Sequence, residues 1–243
     1  MNVQTDRALI PAGQPSIRYL TIAISAPARD RCETPGVVTG DARLVVAGAT
    51  GTDIGCLSDL ASESVQDPAT GNADVHVLLG DLAPAQEITV VIAVRCPALP
   101  AGEHAAITLR LTDRDATLFP EPLAVDWGAV DEHADAAQPV STGVLVDVAT
   151  EVAARARAAA VETSRRGDAG QAAAILAASA ADLRRLGAGI PDVRAMADAL
   201  EAEPTVVSTV PSTPAINPGY ILPARLAPAS RPAVRGKRRP SSP

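Results

Sequence analysis

The segment most informative about the fold is Glu162-Thr-Ser-Arg-Arg166-Gly167-Asp168-Ala-Gly-Gln-Ala172, which lies between two alanine-rich segments. Gly167 suits the position just after a helix, where φ is positive, and Asp168 suits the cap that precedes the next helix. Arg165 and Arg166 suit the negative end of the first helix dipole. The stretch therefore predicts two helices that are joined by a short turn and pack antiparallel.

The helical pattern extends on both sides of this turn. Val144, Val148 and Val152 recur every four residues and predict a helix over 142–166. A second helix is predicted over 169–186, and a third, shorter one over about 191–201, with a proline in its first turn.

In the residues before the hairpin, apolar side chains tend to recur at every second position, as in β-strands. They contain six or seven short segments of strand character, separated by Gly, Pro and Asp turns, at 17–25, 43–47, 75–79, 87–95, 104–112 and 122–126. In the fifth segment, Ile107, Leu109 and Leu111 share one face. No helical pattern intervenes, so the sequence predicts an antiparallel, immunoglobulin-like β-sandwich rather than a parallel α/β sheet.

From Pro204 onward the composition cannot form a core. This stretch has nine prolines in 40 residues, together with Ser, Thr and Arg, and we expect it to be disordered. The predicted fold class is α+β. Its parts are a β-sandwich (1–130), a helical hairpin with a short third helix (138–203) and a disordered Pro/Arg-rich tail (204–243).

The net charge of −7 is unevenly distributed. Six basic and no acidic residues follow Pro204, whereas the rest of the chain carries 15 basic and 28 acidic residues. The segment Arg235-Gly-Lys-Arg-Arg-Pro240 could attract an acidic partner, nucleic acid or anionic lipid, but a solubilising end is the simpler interpretation.

Composition excludes several classes of protein. Tyr19, Phe119, Trp127 and Tyr220 are the only aromatic residues, too few for the stacking platforms that bind single-stranded nucleic acid. The N-terminus lacks the apolar segment of a signal peptide, and no apolar run is long enough to span a membrane. We therefore expect a cytoplasmic protein.

The candidate site residues mostly have structural explanations. Cys32, Cys56 and Cys96 contain no C-x-x-C pair, so a zinc site is not expected; free thiols are favoured over a single disulfide. Asp113-Arg-Asp115 offers two clustered carboxylates, whereas calcium needs six to eight oxygens, so a solvated turn is favoured. Arg166-Gly167-Asp168 spells the integrin-binding tripeptide, but helix capping explains both its glycine and its aspartate.

No motif predicts catalysis. His76, His104 and His133 are far apart in sequence, and the chain has no G-x-S-x-G elbow, phosphate-binding loop or G-x-G-x-x-G motif. The sequence therefore predicts no catalytic, cofactor-binding or metal-binding residue, no cofactor and no small-molecule ligand.

Two motifs resemble the region that follows the von Willebrand factor A domain in bacterial proteins of that superfamily. The first is Leu79-Gly80-Asp81-Leu82, followed after a short spacer with Glu87 by a long β-branched strand. The second is Arg166-Gly167-Asp168 between alanine-rich helices, and the resemblance covers about residues 35–187. It implies a β-sandwich followed by a helical segment.

The chain departs from that family at its functional site. The metal-ion-dependent adhesion site is marked by Asp-x-Ser-x-Ser, and the nearest string here, Asp59-Leu-Ala-Ser62-Glu-Ser64, has the wrong spacing. Metal-dependent adhesion is therefore not carried over, and the chain is expected to be a fragment of, or a relic derived from, a von Willebrand A protein.

These observations favour a non-enzymatic scaffold with a protein partner, bound on the sandwich or on a helical groove of tetratricopeptide-like type. One alternative is a hydrolase with a spatially assembled histidine and carboxylate. Another is a calcium-dependent adhesion protein.

Overall fold

The computed structural model describes residues 1–26, 39–66, 72–113 and 121–209. Met1–Thr209 forms one compact unit. The basic segment 235–240 and the predicted disorder from residue 210 onward lie outside the described residues. The division into a sandwich domain and a helical domain stays a prediction.

Ten strands precede four helices in the described chain. The strands are β1 (Asn2–Thr5), β2 (Leu9–Pro11), β3 (Ser16–Ser25), β4 (Thr39–Gly48), β5 (Asp53–Cys56), β6 (Ser62–Gln66), β7 (Ala73–Leu82), β8 (Glu87–Cys96), β9 (His104–Thr112) and β10 (Leu123–Val130). The helices are α1 (Glu132–Ala137), α2 (Thr142–Arg165), α3 (Ala169–Leu186) and α4 (Pro191–Thr209).

The strands form two sheets that face each other, so the predicted sandwich is confirmed. The four-stranded sheet has the order β1-β3-β8-β5, and the six-stranded sheet has the order β2-β10-β9-β4-β7-β6. The pairing of β2 with β10 is parallel, whereas the other pairs are antiparallel. The predicted count of six or seven strands was too low, because β1, β2, β5 and β6 have only three to five residues each.

The core between the sheets is built from alternate residues of the long strands. Leu20 and Ile22 of β3, Ile92 of β8, and Ile107 and Leu109 of β9 are all almost fully buried. The alternation predicted for β9 is therefore confirmed, and Trp127 of β10 completes the same core.

A third layer covers the outer face of the four-stranded sheet. Val91 of β8 points away from the sandwich core, yet it is only 1% exposed because Val144 and Val148 of α2 pack on it. Helix α2 therefore joins the helices to the sandwich through an apolar contact.

The predicted hairpin is present, with the predicted caps. Arg166 is the C-cap of α2, Gly167 has φ of +91°, and the Asp168 carboxylate accepts a hydrogen bond from the Gln171 N–H at 2.8 Å. Alanines of α2 and α3, with Leu176 and Leu183, form the contact surface.

Two helical features differ from the prediction. Helix α4 continues to Thr209 rather than ending near residue 201, and it includes Pro204, whose missing N–H normally ends or kinks a helix. The short helix α1 was not predicted, because no residue in it is buried and it has no apolar period; Asp131 caps it by accepting from the Ala134 N–H at 2.9 Å.

A glycine allows α3 and α4 to approach closely. A Cβ on Gly187 would lie 2.4 Å from Cγ1 of Val193, a fully buried residue. We expect Gly187→Ala to lower the free energy of unfolding by about 1–3 kcal/mol through overpacking, as measured by urea denaturation.

Gly143 of α2 is the matched control. A Cβ there meets nothing within 4 Å, and alanine favours the helix by up to about 1 kcal/mol. Gly143→Ala should therefore leave stability unchanged or raise it. Equal effects of the two substitutions would contradict the close approach at Gly187.

Candidate functional site

The largest of the five cavities described is an open groove between the four-stranded sheet and the helices. Its volume is about 500 Å³. We call it the sheet–helix groove, and it is lined by Ile17, Tyr19, Val148, Val152, Asp182, Leu183, Arg185 and Leu186.

The groove exists because α2 covers only part of the sheet. Ile17 and Tyr19 of β3 point outward, opposite Arg95 and Ala93 of β8, beyond the position where α2 packs on Val91. Ile17 is consequently 40% exposed. The outward side of β3 therefore forms one wall, and α2 with the C-terminal end of α3 forms the other.

The rim of the groove is charged, and its walls are apolar. Arg185 donates a hydrogen bond to the Asp182 carboxylate at the edge. The pKa of Tyr19 is raised by burial and, to a lesser degree, by the carboxylates of Asp6 and Asp182. The phenol therefore remains protonated and can donate a hydrogen bond to a bound group.

A polar cluster lies next to the groove and holds α1 on the sandwich. Arg18, whose side chain is 7% exposed, donates from Nη2 to the Asp135 carboxylate at 2.6 Å and from Nε to the Leu9 carbonyl at 2.7 Å. Gln138 accepts from the backbone N–H groups of Ala8 and Leu9 at 2.9 and 2.8 Å. We call Arg18, Asp135 and Gln138, together with Arg7, the α1 clip.

Asp6 is a second buried charge at this junction. It is 5% exposed, and its carboxylate accepts from the Tyr19 N–H at 2.8 Å. Desolvation raises the pKa of Asp6, although hydrogen bonds and the nearby arginines oppose this effect. Sequence patterns did not indicate Asp6 or the α1 clip, because Arg18 and Asp135 are 117 residues apart.

The three histidines remain apart from the described cavities. His104 lies 2.9 Å from each carboxylate oxygen of Asp126, but both side chains are more than half exposed on β9 and β10. His76 lies within β7, and His133 is exposed on α1. None of the five cavities is lined by a histidine.

The two described cysteines are free and buried. Burial raises the pKa of the Cys56 thiol and raises that of Cys96 to about 11. Both are therefore poor nucleophiles at neutral pH. Cys32 lies outside the described residues.

The Asp113-Arg-Asp115 turn, for which calcium binding was considered and not favoured, is only partly described, because Asp115 lies outside the described residues. Among the residues that the structure covers, no group of three His, Cys, Asp or Glu side chains could hold a metal ion. Over the same residues, no helix is long and apolar enough to cross a membrane.

Both resemblance motifs have structural roles. In the first, Gly80 has φ of +74°, the Asp81 carboxylate accepts from the Asp41 N–H at 3.0 Å, and Leu82 is buried. This motif therefore joins β7 to the adjacent β4. The Arg166-Gly167-Asp168 tripeptide is exposed at the hairpin turn and is held by the capping bonds described above.

Comparison with known proteins finds only distant structural likeness. No family model matches the sequence, and no curated protein matches it. A von Willebrand factor type A structure from Catenulispora acidiphila aligns with a TM-score of 0.40 and 14% identity, over 70% of this chain and 46% of that chain.

Two further structures align over about half of this chain. The C-terminal domain of a Streptococcus pyogenes antigen I/II-family protein gives a TM-score of 0.31 and 11% identity, over 53% of this chain and 47% of that one. A Nocardia farcinica protein with an immunoglobulin-like fold aligns with a TM-score of 0.29 and 14% identity, over 50% of this chain and 81% of that chain. The chain thus spans less than half of the first two structures, and likeness at these scores assigns neither a family nor a function.

We expect Asp135→Ala to destabilise the protein strongly. Removing this carboxylate leaves the buried Arg18 guanidinium without its only ion-pair partner among the described residues, which costs about 3 kcal/mol or more. Glu162→Ala is the control, because it removes an exposed ion pair with Arg166 worth about 0.3–0.5 kcal/mol. Urea unfolding of both variants measures the difference, and a small loss for Asp135→Ala would show that the α1 clip does not support the fold.

We expect Asp6→Asn to change the pH dependence of stability. Because the folded-state pKa of Asp6 is raised above the ordinary 3.8, the folded chain binds this proton more tightly than the unfolded chain. The stabilisation that comes from protonated Asp6 is therefore present below about pH 4, and it is lost as the pH rises through the folded-state pKa of this carboxyl. Asparagine keeps an acceptor for the Tyr19 N–H without the charge.

The free energy of unfolding of Asp6→Asn, relative to wild type, should accordingly increase between pH 4 and pH 7. Urea unfolding at several pH values measures this difference. A difference that is constant or decreases over this range would contradict a destabilising carboxylate at Asp6.

Proposed function

We propose that this chain is a non-enzymatic protein-interaction module and that a segment of a partner protein binds in the sheet–helix groove. The observation that carries the proposal is the groove itself, with its apolar walls on β3, α2 and α3 and its volume of about 500 Å³.

The chemistry of the groove favours a protein segment over a small molecule. Small-molecule sites usually enclose the ligand and present several convergent polar groups. This groove is open, and Asp182 and Arg185 at its rim are paired with each other. An apolar helix or loop with one hydrogen-bond acceptor for the Tyr19 hydroxyl fits these walls.

We further propose that the chain is part of, or derived from, a von Willebrand A-type protein, and that the bound segment belongs to an A domain. The support is the order of two motifs, Leu79-Gly80-Asp81-Leu82 in the sandwich and Arg166-Gly167-Asp168 in the hairpin. The proposed sandwich domain (1–130) and helical domain (138–203) each contribute one wall of the groove.

We propose the cytoplasm as the compartment. The support is that the two described cysteines are free, as is usual in a reducing environment.

Photocrosslinking from the groove tests the partner. We expect Tyr19→p-benzoylphenylalanine, in the full chain within its native host, to crosslink to a polypeptide that mass spectrometry identifies by an Asp-x-Ser-x-Ser sequence. The same replacement at Val161, which is 49% exposed on α2 outside the groove, is the control.

Two results would contradict the proposal. Equal crosslinking from both positions would show that the groove is not the binding surface. Specific crosslinking from Tyr19 to a polypeptide without Asp-x-Ser-x-Ser would keep the groove as a site but reject the von Willebrand A partner.

A further inference from the structure

Helix α2 packs on the four-stranded sheet, and α1 contacts the six-stranded sheet only at its edge strand β2, so the described helices leave the outer face of β9, β4, β7 and β6 uncovered. We call the outward side chains of β9, β4, β7 and β6 the open face. Two of the large hydrophobic side chains that remain exposed, Val65 (39%) and Leu78 (37%), lie on this face.

The strand register arranges the open face in rows. One row crosses four strands in the order Arg110, Val45, His76 and Glu63. It therefore begins with a cation on β9, ends with an anion on β6 and has one valine and one histidine at its centre.

The two charges at the ends of this row are not neutralised by any residue that the structure describes. Neither Arg110 nor Glu63 has an ion-pair partner among the residues that the structure describes. Both side chains are exposed. Three strand spacings separate them, about 14 Å, so they cannot pair with each other.

We propose that the open face binds a second copy of this chain. The twofold axis runs parallel to the strands, midway between β4 and β7. Such an axis exchanges the two halves of each row, so that Arg110 of one copy lies opposite Glu63 of the other, and Val45 lies opposite His76. The dimer then contains two Arg110–Glu63 ion pairs, one at each end of the row.

In the next row the axis brings the Arg43 side chains of the two copies side by side, which opposes association, but it also covers an exposed leucine. Arg43 lies beside Leu78 and also beside Thr112. The rotation places the aliphatic stem of Arg43 over Leu78 of the second copy, and it covers a side chain that is otherwise exposed. Face-to-face sheets pack about 10 Å apart, a gap that one arginine and one glutamate side chain can bridge together.

The size of the face predicts a weak dimer. Four strands at about 4.8 Å and five residues at about 3.3 Å give a face of roughly 320 Å². This flat area is smaller than the roughly 800 Å² per partner of a standard stable interface. The monomer and dimer should therefore exchange, and the average mass should depend on concentration.

Sedimentation equilibrium of the full chain over a wide concentration range tests the proposal. We expect the average mass to rise from 24.7 kDa towards twice that value. Arg110→Glu and Glu63→Arg should each raise the dissociation constant of the dimer at least tenfold, because each places like charges opposite each other. The double variant, which exchanges the two charges, should restore the dimer.

Arg165→Glu is the matched control, because Arg165 is exposed on α2 and its replacement changes the net charge as Arg110→Glu does. It should leave the dissociation constant unchanged, and circular dichroism should show that each variant is folded. A wild-type chain that stays monomeric would overturn the proposal. Association that survives both single reversals, or that the double variant fails to restore, would overturn it as well.

Discussion

Burial of Val91 on the outer side of β8 sets the arrangement of the other layers. A strand of a two-layer sandwich usually faces water on one side, but Val90 and Ile92 face the core while Val91 faces outward at 1% exposure. An apolar cover is therefore required, and α2 provides it with Val144 and Val148. Because α3 and α4 pack on α2, the position of this one contact determines where the sheet–helix groove opens.

Polar contacts on both sides of Val91 fix the direction of α2. On one side, Ser58 accepts from the Val91 N–H at 2.9 Å, and Arg155 of α2 donates to the carbonyl oxygens of Cys56 and Ser58 at 2.7 and 3.3 Å. On the other side, the α1 clip holds the segment before α2 although α1 buries no residue. The apolar contact holds α2 against the sheet, and these hydrogen bonds set the direction in which α2 runs.

The sequence predicted those parts of the fold that depend on neighbouring residues. Gly167 and Asp168 cap adjacent helices, and the period of β9 lies within nine residues, so both could be read locally. The α1 clip and the groove depend on residues that are distant in sequence, such as Arg18 with Asp135 or Ile17 with Leu183. Strands of three to five residues are too short to show a period, which is why β1, β2, β5 and β6 were not predicted.

The two outer faces of the sandwich differ in chemistry, and this difference separates the two proposed contacts. The groove lies on the helix-covered side, whereas the charged rows lie on the opposite sheet. A dimer formed through the open face therefore leaves both grooves accessible on its outer surfaces. A partner that presents two binding segments would then engage both copies at once, so that self-association and groove binding would strengthen each other through effective concentration.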